Sequence, residues 1–294
     1  VILVRGAGIV TVARDCKSAS VAADVYEHTL LTIRDAMSVG SYDPVSEADL
    51  FDMEYWSLEQ AKLGKATPPP MRARIVYVTG AASGIGLATA EAFGKKGAVV
   101  YCTDINAEAI VKAVAQLKSK GIAAFGQSLD VTDPLAVAAS FRRVAALLGG
   151  VDYVVSNAGR AYQGDMSQLS PKEFNDCLAL NLTSHQYVAA EAVKVMKQQK
   201  MGGVLLFNAS KAAVNPGPGF GPYAIAKAGV IALTRQYALE YGKLGIRCNA
   251  INADRVRTGL FTPEVVQQRA AARGLEVDDY FKSNLLGAEV TASC

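Results

Sequence analysis

The sequence is poor in the side chains that build metal centres, disulfide frameworks and membrane anchors. Its 294 residues contain two histidines, His28 and His185, and five cysteines, Cys16, Cys102, Cys177, Cys248 and Cys294. No two cysteines form a CxxC pair and no His or Cys spacing suits zinc, so neither a metal site nor a set of disulfides is expected. Such thiols are ordinary small residues of a reducing compartment, which makes a cytoplasmic protein the expectation. No apolar run approaches the roughly 18–20 residues that cross a bilayer, and no signal-peptide pattern is present, so no membrane partner is expected. The net charge is only +3 and no Lys/Arg-rich block stands out. Nucleic acid is therefore not expected either. The chain begins at Val1, not Met, and is expected to be a fragment.

What is present divides at one point. Residues 1–70 hold 6 Lys/Arg against 10 Asp/Glu, whereas residues 71–294 hold 24 against 17. The change coincides with Lys65-Ala-Thr-Pro-Pro-Pro-Met71. Three consecutive prolines fix φ and favour an extended spacer. The expected organisation is a segment 1–64, a linker 65–72 and a domain 73–294. Upstream, β-rich stretches at 1–4 and 9–12 flank Gly6-Ala-Gly8 and read as a hairpin. A helix is expected over 15–39 and a second over 46–63, the latter opening on the capping-box spacing of Ser46 and Asp49. So short a segment buries too little to be stable alone.

Downstream, apolar strand-like runs alternate with amphipathic stretches. Strands are expected at 75–79, 99–103, 123–127, 153–156, 203–208 and 247–251. Helices are expected at 84–96, 107–120, 134–148, 171–199 and 222–241, with a further helical stretch at 264–273. This alternation predicts a Rossmann-type, doubly wound α/β fold with a parallel sheet buried on both faces. Ligands of such sheets bind along the rim of strand C-termini.

The first of these strands, Ile75-Val-Tyr-Val-Thr79, runs directly into Gly80-Ala-Ala-Ser83-Gly84-Ile85-Gly86 and then a helix. Gly80 permits a tight turn, Gly84 lets backbone approach a pyrophosphate, and Gly86 permits close helix–strand contact. The N–H groups opening the helix favour phosphate. Asp104 ends the second strand, 18 residues past Gly86, where a carboxylate can accept from ribose hydroxyls and would repel a 2′-phosphate. No Arg or Lys stands in the glycine loop or just after Asp104, which favours NAD(H) over NADP(H). The third strand ends at Asp130-Val131, with Asp130 placed for the adenine edge. The fourth ends at Asn157-Ala158-Gly159, small enough for a cofactor to pass.

A second constellation lies further on. Tyr223 and Lys227 are four residues apart, so on a helix they share one face. An ammonium so placed stabilises a phenolate and is expected to lower the Tyr223 pKa, suiting it to proton transfer with an alcohol. Ser210 follows the fifth strand and can polarise a carbonyl. Asn181 can hold a water leading to Lys227. His28 is expected to be a structural helix residue, and His185, one turn past Asn181, is not expected to touch substrate.

With the glycine loop, Asp130, Asn157-Ala158-Gly159, Asn181, Ser210, Tyr223 and Lys227 in this order, residues 71–294 resemble a short-chain dehydrogenase/reductase. The resemblance implies hydride transfer between a nicotinamide and a carbinol carbon, with Asn181, Ser210, Tyr223 and Lys227 as the catalytic set. It implies a small-molecule substrate and a homo-oligomer, a dimer or tetramer. It also places Thr258 at the nicotinamide carboxamide and Ser83, Ile85, Val131 and Ala158 along the cofactor, which Tyr223 and Lys227 also touch, Lys227 at the nicotinamide ribose. Two departures stand out. The family usually has Pro-Gly where this chain has Ala253-Asp254, which puts the nicotinamide loop in doubt and supports a rival reading, a dinucleotide-binding module without turnover. A seventh strand is missing, which would leave the sixth with an open edge and suggests that the chain is also cut at its C-terminus.

The first segment resembles the C-terminal part of class II aldolase/adducin-type domains, and more narrowly that of fusions between a rhamnulose-1-phosphate aldolase and a short-chain dehydrogenase. The matching stretches are Val1-Ile-Leu-Val-Arg-Gly-Ala-Gly8, Ala22-Ala-Asp-Val-Tyr-Glu-His28, Glu54-Tyr-Trp56 and Glu59-Gln-Ala-Lys62. Those aldolases hold zinc with several histidines, and His28 alone cannot. The fusion implies an oxidoreductase acting on a small hydroxy-carbonyl compound, of lactaldehyde type, in deoxysugar (rhamnose) breakdown. An accessory role beside an aldolase is the alternative.

Overall fold

The computed structural model describes residues 1–54, 68–258, 263–284 and 287–292. They fall into two compact units, Val1–Ala73 and Arg74–Cys294.

In the first unit, β1 (Ile2–Val4) and β2 (Gly8–Val10) form an antiparallel pair. The turn needs left-handed backbone, which Gly6 supplies at φ +78°. Helix α1 (Cys16–Val39) starts at Asp15, whose Oδ1 accepts from the Ser18 amide at 2.8 Å. Its other oxygen accepts from Arg72 Nε at 2.6 Å. The Ser18 bonds and then Arg72 bring the Asp15 carboxyl down to about 2. Helix α2 (Glu47–Glu54) shows the expected cap, with the Asp49 amide donating to Ser46 Oγ at 3.2 Å. Beyond Glu54 the expected second helix lies outside the described residues. Neither helix buries a side chain, and Val21, Val25 and Met37 are exposed. Among its described residues the unit shows no buried core, as its length implies.

The second unit is a six-stranded parallel sheet with helices between its strands. In chain order these are β3 (Ile75–Thr79), α3 (Gly84–Lys95), β4 (Val99–Asp104), α4 (Ala107–Ser119), β5 (Ala124–Ser128), α5 (Pro134–Leu148) and β6 (Tyr153–Ser156). There follow α6 (Pro171–Leu178), a π-helical turn (Ala179–Thr183), α7 (Ser184–Gln199), β7 (Gly203–Asn208), α8 (Gly221–Tyr241) and β8 (Ile246–Ile251). The spatial order is β5-β4-β3-β6-β7-β8. Chain direction along the sheet reverses between β3 and β6, so their C-terminal ends open a crevice suited to a ligand.

Burial explains the strand composition. Val76, Tyr77, Val78 and Thr79 of β3 are wholly enclosed. Tyr77 stacks on Phe141 and Tyr101, with ring centroids 4.5 and 5.6 Å apart. Enclosing two phenols costs stability unless their hydroxyls are bonded. Tyr77 Oη lies 2.7 Å from Ser140 Oγ, and Tyr101 donates to Gln127 Oε1 at 2.8 Å.

Two elements differ from expectation. The single helix expected over 171–199 is interrupted by the π-helical turn at Asn181. The stretch expected at 264–273 is α9 (Pro263–Ala271), and a short α10 (Val277–Tyr280) packs with it through Val266, Ala270, Tyr280 and Phe281. Among the described residues β8 has a neighbour only in β7.

Candidate active site

Strand β3 delivers the glycine loop to the crevice. Gly80 and Gly84 have φ of +63° and +55°, a conformation that side chains disfavour. Gly86 is required for a different reason. A Cβ there would sit 2.1 Å from the Gly80 carbonyl oxygen and 2.7 Å from Asn157 Nδ2. Ser83 precedes α3 in extended conformation, makes no capping bond, and lines the cavity with Gly84 and Ile85 at the start of the helix. That arrangement fits a pyrophosphate.

The end of β6 is held against this loop. The amides of Asn157 and Ala158 donate to Thr79 Oγ1 at 2.9 and 3.0 Å, and Asn157 Nδ2 donates to the Thr79 carbonyl at 2.9 Å. Asn208, at the end of β7, donates to Asn157 Oδ1 at 2.8 Å. The termini of three parallel strands are thereby cross-tied beneath a cavity of about 340 Å³.

Gly80, Ser83, Gly84, Ile85, Asp104, Asn157, Ala158, Gly159, Ser210, Tyr223, Lys227 and Thr258 line that cavity. Four of the expected residues do not. Gly86 lies beneath the loop. Val131 is a core side chain, and Asp130 bonds locally, accepting from the Thr132 amide and hydroxyl at 2.8 and 2.7 Å. Asn181 is buried behind the wall. Its Oδ1 accepts from the Arg160 amide at 3.1 Å and its Nδ2 donates to the Cys177 carbonyl at 3.2 Å. A Cβ on Gly159 would lie 2.8 Å from Asn181 Oδ1 and 3.5 Å from Lys227 Nζ. Only glycine leaves that space open between the two groups.

Helix α8 carries Tyr223 and Lys227, and the ammonium lies 5.8 Å from the phenol ring centroid. Lys227 is almost wholly enclosed, which brings its pKa down to about 7. Two acceptors hold its Nζ from behind: the Asn208 carbonyl at 2.8 Å and His185 Nε2 at 3.3 Å. His185 is fully buried, and its Nδ1 lies 2.6 Å from Ser156 Oγ. Burial, and then the charge of Lys227, keep this imidazole well below its usual range. A neutral ring that accepts from the ammonium at Nε2 carries its proton on Nδ1 and donates it to Ser156.

The expectation of a lowered Tyr223 is corrected. Burial raises this phenol, and the bond to Ser210 offsets only part of the rise. The reason is geometric: Lys227 is turned toward Asn208 and His185. Ala253, where the family has Pro, is tied to the turn after Ser210. The Lys211 amide donates to the Ala253 carbonyl at 3.0 Å. Arg255 adopts left-handed backbone, φ +46°, which costs about 1–3 kcal/mol in a residue with a side chain. Its guanidinium donates to the Ser283 carbonyl at 2.5 Å and the Tyr280 carbonyl at 3.3 Å.

Residues 74–269 match the short chain dehydrogenase family. The chain belongs to that family. Residues 1–63 match the aldolase class II second domain. The chain is 34% identical over 284 residues to "Uncharacterized oxidoreductase YuxG" of Bacillus subtilis, covering 95% of this chain and 41% of that protein. It therefore spans less than half the length of this relative. It is 36% identical over 187 residues to the D-threitol dehydrogenase of Mycolicibacterium smegmatis, covering 64% of this chain and 72% of that protein. A crystal structure of a short-chain type dehydrogenase/reductase from Mycobacterium marinum superposes with a TM-score of 0.70 at 26% identity, over 76% of this chain and 85% of that one. Short chain dehydrogenases bind nicotinamide dinucleotide cofactors.

Sequence reading missed several residues of this dehydrogenase site. Asn208 had a signal, since Asn closes β7 and Asn157 directly follows β6. Ser156 and His185 had none, because they lie 29 residues apart and His185 meets Lys227 across 42. Arg160, Lys211, Arg255, Arg269 and Arg273 also line the cavity. Among the described residues no cluster of His, Cys, Asp and Glu suits a metal, and no helix is long and apolar enough to cross a membrane.

Proposed function

We propose that residues 73–294 form an NAD(H)-dependent oxidoreductase that interconverts a small hydroxy-carbonyl compound and its alcohol. The observation that carries this reading is the meeting of Ser210, Tyr223 and Lys227 with the glycine loop on one cavity. A nicotinamide bound there supplies or accepts the hydride. Ser210 Oγ accepts from the Ala212 amide at 3.1 Å, and its proton, which meets Tyr223 in the cavity, turns to a substrate oxygen when one binds. Tyr223 gives a proton to that oxygen on reduction and removes it on oxidation. Lys227 keeps a donor for the cofactor ribose. Asn181 fixes the turn at Gly159 and holds a water leading to Lys227.

Asp104 supports NAD(H) over NADP(H). Its carboxylate lines the cavity and accepts from the Ala82 and Asn106 amides at 3.2 and 3.1 Å. Asn106, not Asp104, caps α4, accepting from the Ala109 amide at 3.0 Å. The carboxylate therefore remains available to ribose hydroxyls and opposes a 2′-phosphate. Asp130, by the same proposal, borders the adenine.

Residues 1–64 are, on this reading, the C-terminal part of a class II aldolase-like domain joined through the linker 65–72. The dehydrogenase then handles a product of aldol cleavage, with a lactaldehyde-type compound of deoxysugar (rhamnose) breakdown as the first candidate. The similarity to a D-threitol dehydrogenase, named for a small polyol, supports a small polar substrate. A homo-oligomer, dimer or tetramer, is part of the proposal.

Titration with NADH and NADPH, followed by nicotinamide fluorescence, tests it. Tighter binding of NADH, weakened by Asp104→Ala, together with turnover of small hydroxyaldehydes, is expected. Binding without turnover, alike in the wild type and Tyr223→Phe, favours the rival that Ala253-Asp254 supports, a dinucleotide-binding module. Binding of neither cofactor removes the proposal.

A further inference from the structure

The wall of the cavity beyond the glycine loop is cationic. Arg160 directly follows Asn157-Ala158-Gly159, and Lys211 directly follows Ser210. Arg255 comes from the loop after β8, and Arg269 and Arg273 from α9 and the turn that follows it. Among the described residues, two acidic side chains line the same cavity, Asp104 and Asp254. Asp104 lies at the end of β4, and Asp254 already faces Arg255 at 3.4 Å. Among the described residues, no carboxylate forms an ion pair with Arg160, Lys211 or Arg273.

Aromatic rings lie beside four of these cations. The Arg160 guanidinium lies 4.6 Å from the Tyr162 centroid, and Arg269 lies 5.0 Å from that of Phe220. Arg255 and Arg273 share Tyr280, at 5.8 and 5.4 Å. A ring face orients a guanidinium without cancelling its charge. Phe220 in turn meets Tyr223 edge to face, with centroids 6.5 Å apart. The positive wall thus begins two side chains from the phenol that moves the proton. The cofactor phosphates do not account for it, because their place is at the start of α3, beside Ser83 and Gly84.

We propose that the substrate carries an anionic group, a carboxylate or a phosphate ester, close to its reacting carbonyl, and that Lys211 and Arg273, with Arg160 beside them, bind it. This rests on the reading of the cavity as a carbonyl-reducing site and narrows it. The neutral hydroxyaldehyde becomes the poorer member of its class, and its anion-bearing relatives the better ones.

The test uses matched pairs with NADH: hydroxyacetone against its phosphate ester, and methylglyoxal against pyruvate. The phosphate or the carboxylate arm is expected to show a kcat/KM at least tenfold above its neutral partner. That ratio is expected to fall about tenfold in the double variant Lys211→Ala/Arg273→Ala. A second measurement needs no turnover. NADH-loaded protein is titrated with inorganic phosphate, oxalate or uncharged ethylene glycol at constant ionic strength, following nicotinamide fluorescence. Saturable binding of one anion, weakened at least tenfold in the double variant, is expected. Equal response to glycol and anions, or anion binding indifferent to the two substitutions, overturns the inference while NADH binding leaves the parent reading standing. Absence of NADH binding in the wild type removes both.

Discussion

His185 Nε2 lies 3.3 Å from Lys227 Nζ, with both side chains buried. An ammonium enclosed in this way survives only through its acceptors, and His185 is one of two. Removing it favours the neutral amine. A hydrogen bond to a charged group contributes about 1.5–3 kcal/mol, and one pH unit corresponds to about 1.4 kcal/mol. The alkaline limb of kcat is therefore expected to move down by about one unit in His185→Leu. His185→Gln, which retains an acceptor, is expected to move less. Equal profiles in both variants and the wild type would show that the ring only fills space.

Lys227 also links stability to pH. Burial places it at about 7 in the folded chain, against an ordinary 10.5. Between those values the unfolded chain binds the additional proton, so this group's contribution makes stability rise with pH. Its penalty is full below about 7 and relieved toward 10.5. Lys227→Met is expected to abolish turnover yet raise the Tm of the cofactor-free protein at pH 7. That gain should shrink as the pH approaches 10, and a gain independent of pH would contradict the linkage.

Tyr223→Phe removes the proton carrier and little else. Turnover is expected to fall by about 10²–10⁴-fold, the usual range for general acid–base catalysis. The dissociation constant for NADH is expected to change less than threefold. A variant that binds NADH poorly would place the ring in cofactor binding, not in proton transfer.

Gly86→Ala tests the packing under the loop. The added carbon would lie 2.1 Å from the Gly80 carbonyl oxygen, so strand and helix must separate. Overpacking of this kind costs about 1–3 kcal/mol. A lower Tm and NADH binding weakened at least tenfold are expected. Wild-type affinity in this variant would mean that the loop can move without cost.

The glycine loop was legible because strand, turn and helix are contiguous in sequence. Ser210, Tyr223 and Lys227 were legible through their spacing. The His185 contact was not, since it depends on how three separate elements pack. The direction of the Tyr223 shift was misread for a related reason: helical spacing predicts that two residues share a face, not where the ammonium points. The cationic wall escaped notice because single Arg and Lys residues in loops look like ordinary solvated charges. Arg269 and Arg273, four apart, were the one hint available.

The π-helical turn at Ala179–Thr183 bears on how this protein can change over evolutionary time. It holds one residue more than an α-helix needs there, and Asn181 reaches both Arg160 and Cys177 because of it. Deleting one residue of the turn would let α6 and α7 merge into a single regular helix. The wider turn already absorbs the additional residue, so α7 would keep its facing and His185 its place, and the change would fall on the turn that carries Asn181. A one-residue change of length here can therefore reach the backbone at Gly159 without unseating the helix behind Lys227.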